Sequence, residues 1–204
     1  EFVWTAPRSG IVRVRLTSPS GDAGDWSFQM QATADDHGSS PHKATRIQLA
    51  DPVAGGIEHS TDTDWFRVTL RAGELYRLNL QSSADRPLEV TIIDRNRSTE
   101  LASDIVSPGE LLEMDAAPMR SGAYRIRVRA VTDDASEVAP APYTFSINDL
   151  RDDHGNIRVF ASPIASGETV NGQLLSPLDQ DWFRFNAVSG ETRSFTLQGE
   201  DLAG

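Results

Sequence analysis

The chain has 204 residues, no cysteine, and 30 acidic against 19 basic side chains, which give a net charge of −11. The lack of cysteine excludes disulfide scaffolds, thiol catalysis and cysteine-ligated zinc, and the acidity argues against a protein that binds nucleic acid along its phosphates. No apolar segment approaches the roughly 20 residues of a membrane helix, so we expect no membrane insertion.

Runs of alternating apolar and polar residues predict β-strands. Because strand side chains alternate between two faces, each run offers one face to a core and the other to water. Turns rich in Gly, Pro, Asn and Asp separate the runs. In chain order, the apolar positions of the runs span 66–70, 76–80, 88–92, 124–128 and 143–147. The pattern predicts an all-β fold, an antiparallel β-sandwich of jelly-roll or immunoglobulin-like type.

The sequence repeats itself at an offset of 117 residues. Asp-Asp-His-Gly at 35–38 recurs at 152–155, and Asp-Thr-Asp-Trp-Phe-Arg at 62–67 recurs as Asp-Gln-Asp-Trp-Phe-Arg at 179–184. The Gly-Glu pair at 73–74 recurs at the same offset. Anchors that share one offset indicate tandem repeats of about 117 residues.

A further match defines the predicted units. Residues 9–15 align with 121–127 at an offset of 112, so the later copy carries a five-residue insertion between 131 and 142. Both ends cut through a repeat, so we expect the chain to be part of a longer protein. The predicted domains are 1–33, the C-terminal part of one repeat; 34–150, a complete β-sandwich repeat; and 151–204, the N-terminal part of a further repeat.

The order of these motifs resembles that of a known domain family. An Asp-Asp-His-Gly opening is followed by a Gly-rich turn, by Asp62-x-Asp64-Trp65-Phe66, by a Gly-Glu turn and finally by Ser121-Gly122-x-Tyr124. This order resembles the bacterial pre-peptidase C-terminal domain and is similar to collagen-binding domains of clostridial collagenases. The resemblance implies a non-catalytic domain of a secreted or surface-displayed bacterial protein, in a family whose members bind polysaccharide, fibrous protein or calcium.

Repeated aspartates predict a metal site. Asp62 and Asp64 lie two apart at a strand entrance, so their carboxylates share one side of the chain, and the resemblance implies that Asp35 and Asp36 pack nearby. Calcium prefers six to eight oxygen ligands, whereas carboxylates gathered without a cation repel one another. We therefore expect Ca²⁺ as a cofactor; the alternative is that these residues cap turns and solubilise strand ends. The candidate ligands are Asp35, Asp36, Asp62, Asp64, Asp152, Asp153, Asp179 and Asp181.

Two tryptophans are candidate ligand-binding residues. Trp65 and Trp182 recur at the repeat offset, and an exposed tryptophan on a sheet face stacks on sugar rings. The alternative is structural cover, because the neighbouring phenylalanines occupy the predicted core face. The arginines of the run 125–129 share one face of the strand. One interpretation is that they bind an acidic glycan or a neighbouring unit, and the other is that they balance nearby acids.

No catalytic constellation is predicted. His37 and His154 also recur at the repeat offset. They are candidates for zinc ligands or acid–base groups, and the simpler interpretation is that they are turn and packing residues. The chain has no Gly-x-Ser-x-Gly elbow, no His-Glu-x-x-His sequence and no phosphate-binding glycine loop. We therefore expect a protein that is not an enzyme.

The expected function is that of an extracellular repeat module. It acts as a structural spacer, an adhesive or a substrate-anchoring domain on a bacterial cell surface or in a secreted protein, and its partners are neighbouring repeats or copies of itself, polysaccharide or fibrous protein. Residues 1–33 and 151–204 together lack only the equivalent of 88–112, so exposed strand edges predict head-to-tail association. The alternative is an accessory C-terminal domain of a secreted protease or glycosidase whose catalytic domain lies outside this chain.

Overall fold

The computed structural model confirms the predicted all-β class. It describes residues 10–18, 21, 23–30, 32, 34–96, 98–131 and 141–199, so most of the predicted insertion between 131 and 142 lies outside the described residues. Within these ranges the helical content is one 3₁₀ turn at Arg158–Phe160, and no helix there is long and apolar enough to cross a membrane. The strands are β1 (Thr45–Arg46), β2 (Val53–Ile57), β3 (Thr63–Leu70), β4 (Tyr76–Ser82), β5 (Leu88–Ile93), β6 (Glu100–Val106), β7 (Leu111–Ala116), β8 (Gly122–Ala130), β9 (Ala141–Asp149), β10 (Ser162–Pro163) and β11 (Phe183–Arg184).

Two sheets pack face to face to form the sandwich. The first has the strand order β1-β3-β8-β5-β6 and the second β2-β9-β4-β7. All pairings in both sheets are antiparallel except that of β1 with β3, which is parallel over two residues. A separate parallel pair, β10 with β11, follows the sandwich.

The apolar residues that alternate along the predicted strands form the core of the sandwich. Phe66 of the first sheet and Phe145 of the second meet edge to face, with ring centroids 4.9 Å apart. The inward residues of the five predicted runs are all buried. They are Phe66, Val68, Leu70, Tyr76, Leu78, Leu80, Leu88, Val90, Ile92, Tyr124, Ile126, Val128, Tyr143, Phe145 and Ile147.

The inward face of β3 changes from apolar to acidic towards its N-terminal end. Leu70, Val68 and Phe66 are at most 1% exposed, and the next two residues on that face, Asp64 and Asp62, are 0% and 4% exposed. The period of the strand therefore places two carboxylates inside the end of the sandwich, where the apolar core stops.

Contacts of the complete sandwich recur beyond residue 150 at the repeat offset. Thr45 lies opposite Phe66, and 117 residues later Ser162 lies opposite Phe183. The Ile47 amide donates to the Arg67 carbonyl at 3.0 Å, and the Ile164 amide donates to that of Arg184 at 2.9 Å. The two stretches thus share local backbone geometry; the predicted domain boundaries stay a prediction.

A short junction links the sandwich to the following residues. The Leu150 amide donates to the Leu75 carbonyl at 2.9 Å, and the Asn156 amide donates to the Gly73 carbonyl at 3.0 Å. Gly73 has a φ of +79° in the turn between β3 and β4, and a Cβ there would collide with the ring of Phe160. A cavity of about 310 Å³ lies beside this contact, between the turn and Asp152–Gly155.

Candidate metal centre

Five carboxylates converge at the acidic end of β3. One oxygen each from Asp35, Asp36 and Glu58 lie within 4.8 Å of one another, and so do one oxygen each from Asp35, Asp62 and Asp64. The structure thus brings together the four aspartates of residues 34–150 that the sequence analysis selected. It adds Glu58, directly after β2, which no sequence motif indicated.

Backbone amides hold two of these carboxylates in place. Asp62 accepts hydrogen bonds from the Glu58 amide at 3.0 Å and the Thr63 amide at 2.7 Å. Asp35 accepts from the His37 amide at 3.2 Å and from the Ser39 hydroxyl at 2.6 Å. The turns at Asp35 and at Asp62 are therefore each stabilised by hydrogen bonds to the aspartate side chain, as is usual for Asp in tight turns.

Asp64 is the most enclosed member of the cluster. Its side chain is 0% exposed, its Oδ2 accepts a 2.6 Å hydrogen bond from the Tyr143 hydroxyl, and its Oδ1 is buried without a hydrogen-bond partner. Tyr143 lies on β9, so this bond joins the two sheets across the sandwich. Gly55 on β2 pairs with Tyr143 and leaves room for its hydroxyl group, because a Cβ at Gly55 would lie 2.5 Å from the hydroxyl oxygen.

Burial and mutual repulsion perturb the acids strongly. The pKa of Asp64 is raised to about 8, mainly by burial and also by the charges of Asp62 and Asp36, although the Tyr143 hydrogen bond lowers it. The pKa of Glu58 is also raised to about 8, first by burial and then by its hydrogen bond with Asp62. Across the described chain, no basic side chain forms an ion pair with any of the five acids. When ionised, the cluster therefore has no basic ion-pair partner among the residues that the structure describes.

The second predicted cluster forms in the residues after the junction. One oxygen each from Asp152, Asp153 and Asp181 lie within 4.8 Å of one another. These three residues stand 117 positions after Asp35, Asp36 and Asp64. Asp179 lies beside them, 7% exposed, and accepts a 2.6 Å hydrogen bond from the Leu175 amide. Buried oxygens of Asp152, Asp179 and Asp181 lack hydrogen-bond partners, and burial raises the pKa of Asp152 to about 6.

The recurring histidines are tied into these turns. His37 Nδ1 is 3.2 Å from the Thr45 hydroxyl, its Nε2 is 2.9 Å from the Ala54 carbonyl, and its ring packs edge-on against Phe66. His154 makes the equivalent contacts with Ser162, Asn171 and Phe183. In each histidine a carbonyl accepts from Nε2 and a hydroxyl lies next to Nδ1, so both ring nitrogens have hydrogen-bond partners. Each ring therefore stabilises the turn to which it belongs.

The two tryptophans differ in their surroundings. Trp65 is half-buried on the outer face of β3, with the Arg127 guanidinium carbon 5.9 Å from the centre of its ring. Trp182 is 38% exposed, and its indole nitrogen donates to the Gln180 side chain at 3.4 Å. Trp65 therefore lies partly against a cation of the outer surface, and the rest of its side chain is accessible.

Comparisons with known proteins give structural similarities only. The chain is similar to the pre-peptidase C-terminal domain of a collagenase from Bacillus anthracis, with a TM-score of 0.45 and 14% identity over 54% of this chain and 100% of that one. It is also similar to PliG, a periplasmic inhibitor of g-type lysozyme from Aeromonas hydrophila (TM-score 0.40, 13% identity, 52% and 97% covered), and to a CBM4 structure (TM-score 0.34, 14% identity, 50% and 77% covered). No family model and no curated protein match the sequence. The first of these structures belongs to the domain family that the sequence motifs resemble.

Proposed function

We propose that the chain is a non-catalytic, calcium-stabilised β-sandwich module of a secreted or surface bacterial protein. The observation that carries the proposal is Asp64, a fully buried carboxylate with one unpartnered oxygen that faces further acids. A buried charge without a partner is costly, and a cation bound among these oxygens removes that cost.

The donor set favours calcium over other metals. The cluster offers carboxylate oxygens, the ligands of hard cations, whereas zinc prefers nitrogen and sulfur. The chain has no cysteine, and both nitrogens of His37 are already engaged. Extracellular modules bind calcium at roughly 10⁻⁴ to 10⁻³ M, which suits a site that is assembled from turns.

The decisive experiment measures thermal unfolding and calcium binding together. In the 204-residue chain, saturating Ca²⁺ is expected to raise the unfolding midpoint relative to EGTA, since a ligand at about 100 times its Kd stabilises by about 2.7 kcal/mol. Asp64→Asn should abolish binding at this cluster while the cluster with Asp181 still binds. Asp51→Asn, which alters an exposed aspartate, serves as the matched control. An unchanged midpoint together with no heat of binding would overturn the proposal.

A second element of the proposed function is association through uncovered apolar residues. Phe183 is 40% exposed, whereas its repeat equivalent Phe66 is 0% exposed. In the first segment Trp26, Phe28 and Met30 are 73%, 55% and 79% exposed, although the residues 117 positions later are core residues of β9. These apolar faces favour cover by neighbouring repeats or, head to tail, by a second copy.

Association is tested by sedimentation equilibrium of the 204-residue chain. Concentration-dependent assembly is expected, and Phe28→Asp should weaken it without changing the unfolding midpoint of residues 34–150. A single monomeric species at every concentration would exclude cover by a second copy.

A further inference from the structure

Three arginines form a line across the outer face of the five-stranded sheet. Arg46 on β1 lies opposite Arg67 on β3, which in turn lies opposite Arg125 on β8. The chain neighbours Phe66 and Tyr124 face the core, so Arg67 and Arg125 face outwards. Adjacent strands are about 4.8 Å apart, so this arginine row spans roughly 10 Å.

Two arginines of the row, Arg46 and Arg67, differ from their neighbours in how their charge is compensated, whereas Arg125 donates from Nε to the Pro41 carbonyl at 3.0 Å. Arg46 and Arg67 are exposed, and neither forms an ion pair or a side-chain hydrogen bond with any residue that the structure describes. Further along β8, by contrast, Arg127 and Arg129 bind Glu89 at 2.9 and 2.6 Å. Like charges directly opposite each other destabilise a sheet, so the row carries a cost that an anionic ligand would relieve.

A partly accessible aromatic residue adjoins the row. Trp65 lies two residues before Arg67 on the same outer face of β3 and is half-buried. Its indole gives an apolar flank of the kind on which sugar rings pack, next to guanidinium groups that bind carboxylate or sulfate in bidentate fashion. The surface therefore combines the two contact types that a charged sugar polymer requires.

The strand topology favours a polysaccharide over an acidic peptide. Extended peptides bind sheets by adding a strand to a free edge. Two of the three strands below the row have no free edge, since β3 lies between β1 and β8, and β8 lies between β3 and β5. The third, β1, is at the edge of the sheet, but it is only two residues long, and very short edge strands offer little to an added strand. A polymer recognised through its side groups needs no edge and lies across the strands.

We propose that this outer face binds an acidic polysaccharide. Arg46 and Arg67 contact carboxylate or sulfate groups next to Arg125, which is held by the Pro41 carbonyl, and Trp65 packs against a sugar ring. The inference goes beyond the proposed function and does not depend on the metal centre, whose buried aspartates lie inside the end of the sandwich.

The test is a binding titration of the full chain with four polymers. Polygalacturonate and dextran sulfate are the carboxylate and sulfate probes, neutral dextran is the uncharged control, and polyglutamate is the acidic-peptide control. Both acidic polysaccharides are expected to bind more tightly than dextran or polyglutamate, with affinity that falls as salt rises.

Paired variants locate the site. The double variant Arg46→Gln/Arg67→Gln is expected to weaken binding at least tenfold, whereas Arg151→Gln/Arg158→Gln, which removes the same charge from exposed positions elsewhere, should bind as the unaltered chain does. Equal unfolding midpoints show that both variants are folded. Unchanged binding by the first variant, preference for polyglutamate, or equal binding of dextran would each overturn the proposal.

The same titrations in Ca²⁺ and in EGTA separate this proposal from that of the metal centre. Arginine-dependent binding in both buffers supports the polysaccharide site whether or not calcium stabilises the fold. Binding that occurs only in Ca²⁺ and ignores the arginine variants would overturn it. A calcium-dependent midpoint with no polysaccharide binding would leave the calcium proposal standing and reject this one.

Discussion

The two acidic clusters share a scaffold but differ in how they are closed. Both begin with Asp-Asp-His-Gly, and in both the histidine bonds to a hydroxyl eight residues later and a carbonyl seventeen residues later. Asp62 and Asp179 each accept from the amide four residues before them. The turns therefore depend on nearby residues of the sequence and form with or without a full sandwich around them.

What differs is the cover. At the first cluster Tyr143 of the opposite sheet bonds to Asp64, which is 0% exposed, whereas Asp181 remains partly exposed. Glu58 adds a fifth carboxylate at the first cluster, and Leu175 occupies that position 117 residues later. Local sequence thus positions the ligands, while the second sheet determines how strongly their charge is desolvated.

A matched pair of glycine substitutions gives the largest expected contrast. Gly55→Ala places a methyl group 2.5 Å from the Tyr143 hydroxyl and should lower the free energy of unfolding by about 3 kcal/mol, as overpacking in a closed site does. At Gly172 a methyl group meets Asp181 and His154 at 3.1 Å, so Gly172→Ala should cost much less. Urea unfolding measures both; equal losses would show that closure by the second sheet does not distinguish the clusters.

Removal of the hydroxyl alone should have a smaller effect. Tyr143→Phe keeps the ring but leaves both Asp64 oxygens without a donor, so in EGTA stability should fall by about 1–2 kcal/mol. Calcium should offset part of that loss, since a cation satisfies the same oxygens. In an Asp64→Asn background the substitution should cost less, and additive losses in a double-mutant cycle would contradict the coupling.

The pH dependence isolates the buried charge. The pKa values of Asp64 and Glu58 rise from 3.8 and 4.5 to about 8 on folding, so between roughly pH 4 and 8 the folded chain holds more protons than the unfolded chain. Their contribution to stability in EGTA is therefore lost as pH rises through this window. The fall between pH 5 and 9 should be shallower in Asp64→Asn, and identical slopes would contradict the assignment. Calcium competes with these protons, so its affinity should rise with pH.

Exchange of the fifth carboxylate should produce the smallest shift. Leu175→Glu supplies the second cluster with the group that Glu58 supplies to the first, and calcium affinity there should increase by about tenfold or less, because carboxylate number tunes affinity. Glu58→Gln should weaken the first cluster to a similar extent. Calorimetric titration of both variants would show whether the affinities converge; a Leu175→Glu variant with unaltered affinity would rule out this explanation of the difference.

The sequence predicted the strands with a buried face and missed those at the sheet edges. β3, β4, β8 and β9 alternate because each has one face in the core, whereas β5 is buried on both faces from Val90 to Ile93 although its sequence alternates as far as Ile92. β6 was missed because it is an edge strand with polar residues at most positions, and β7 because Leu111 and Leu112 break the alternation. Edge strands make few core contacts, so their pattern is weak.

The same reasoning explains what was missed in the metal centre. The aspartates were found because they recur, whereas Glu58 was hidden because the repeat has Leu175 in its place. Tyr143 was predicted to be a core residue from its alternation, which is correct for its ring. Its hydroxyl reaches Asp64 only through the packing of one sheet on the other, a contact 79 residues apart that no local pattern encodes.

The junction has a mechanical consequence. Two peptide hydrogen bonds, Leu150 to Leu75 and Asn156 to Gly73, fasten the connecting segment to the turn between β3 and β4. A pulling force along the polypeptide must break these bonds before the connecting segment can extend, so the first load falls on the turn rather than on the strands of the sandwich. The segment between these two bonds therefore has little free length over which it can extend before they break.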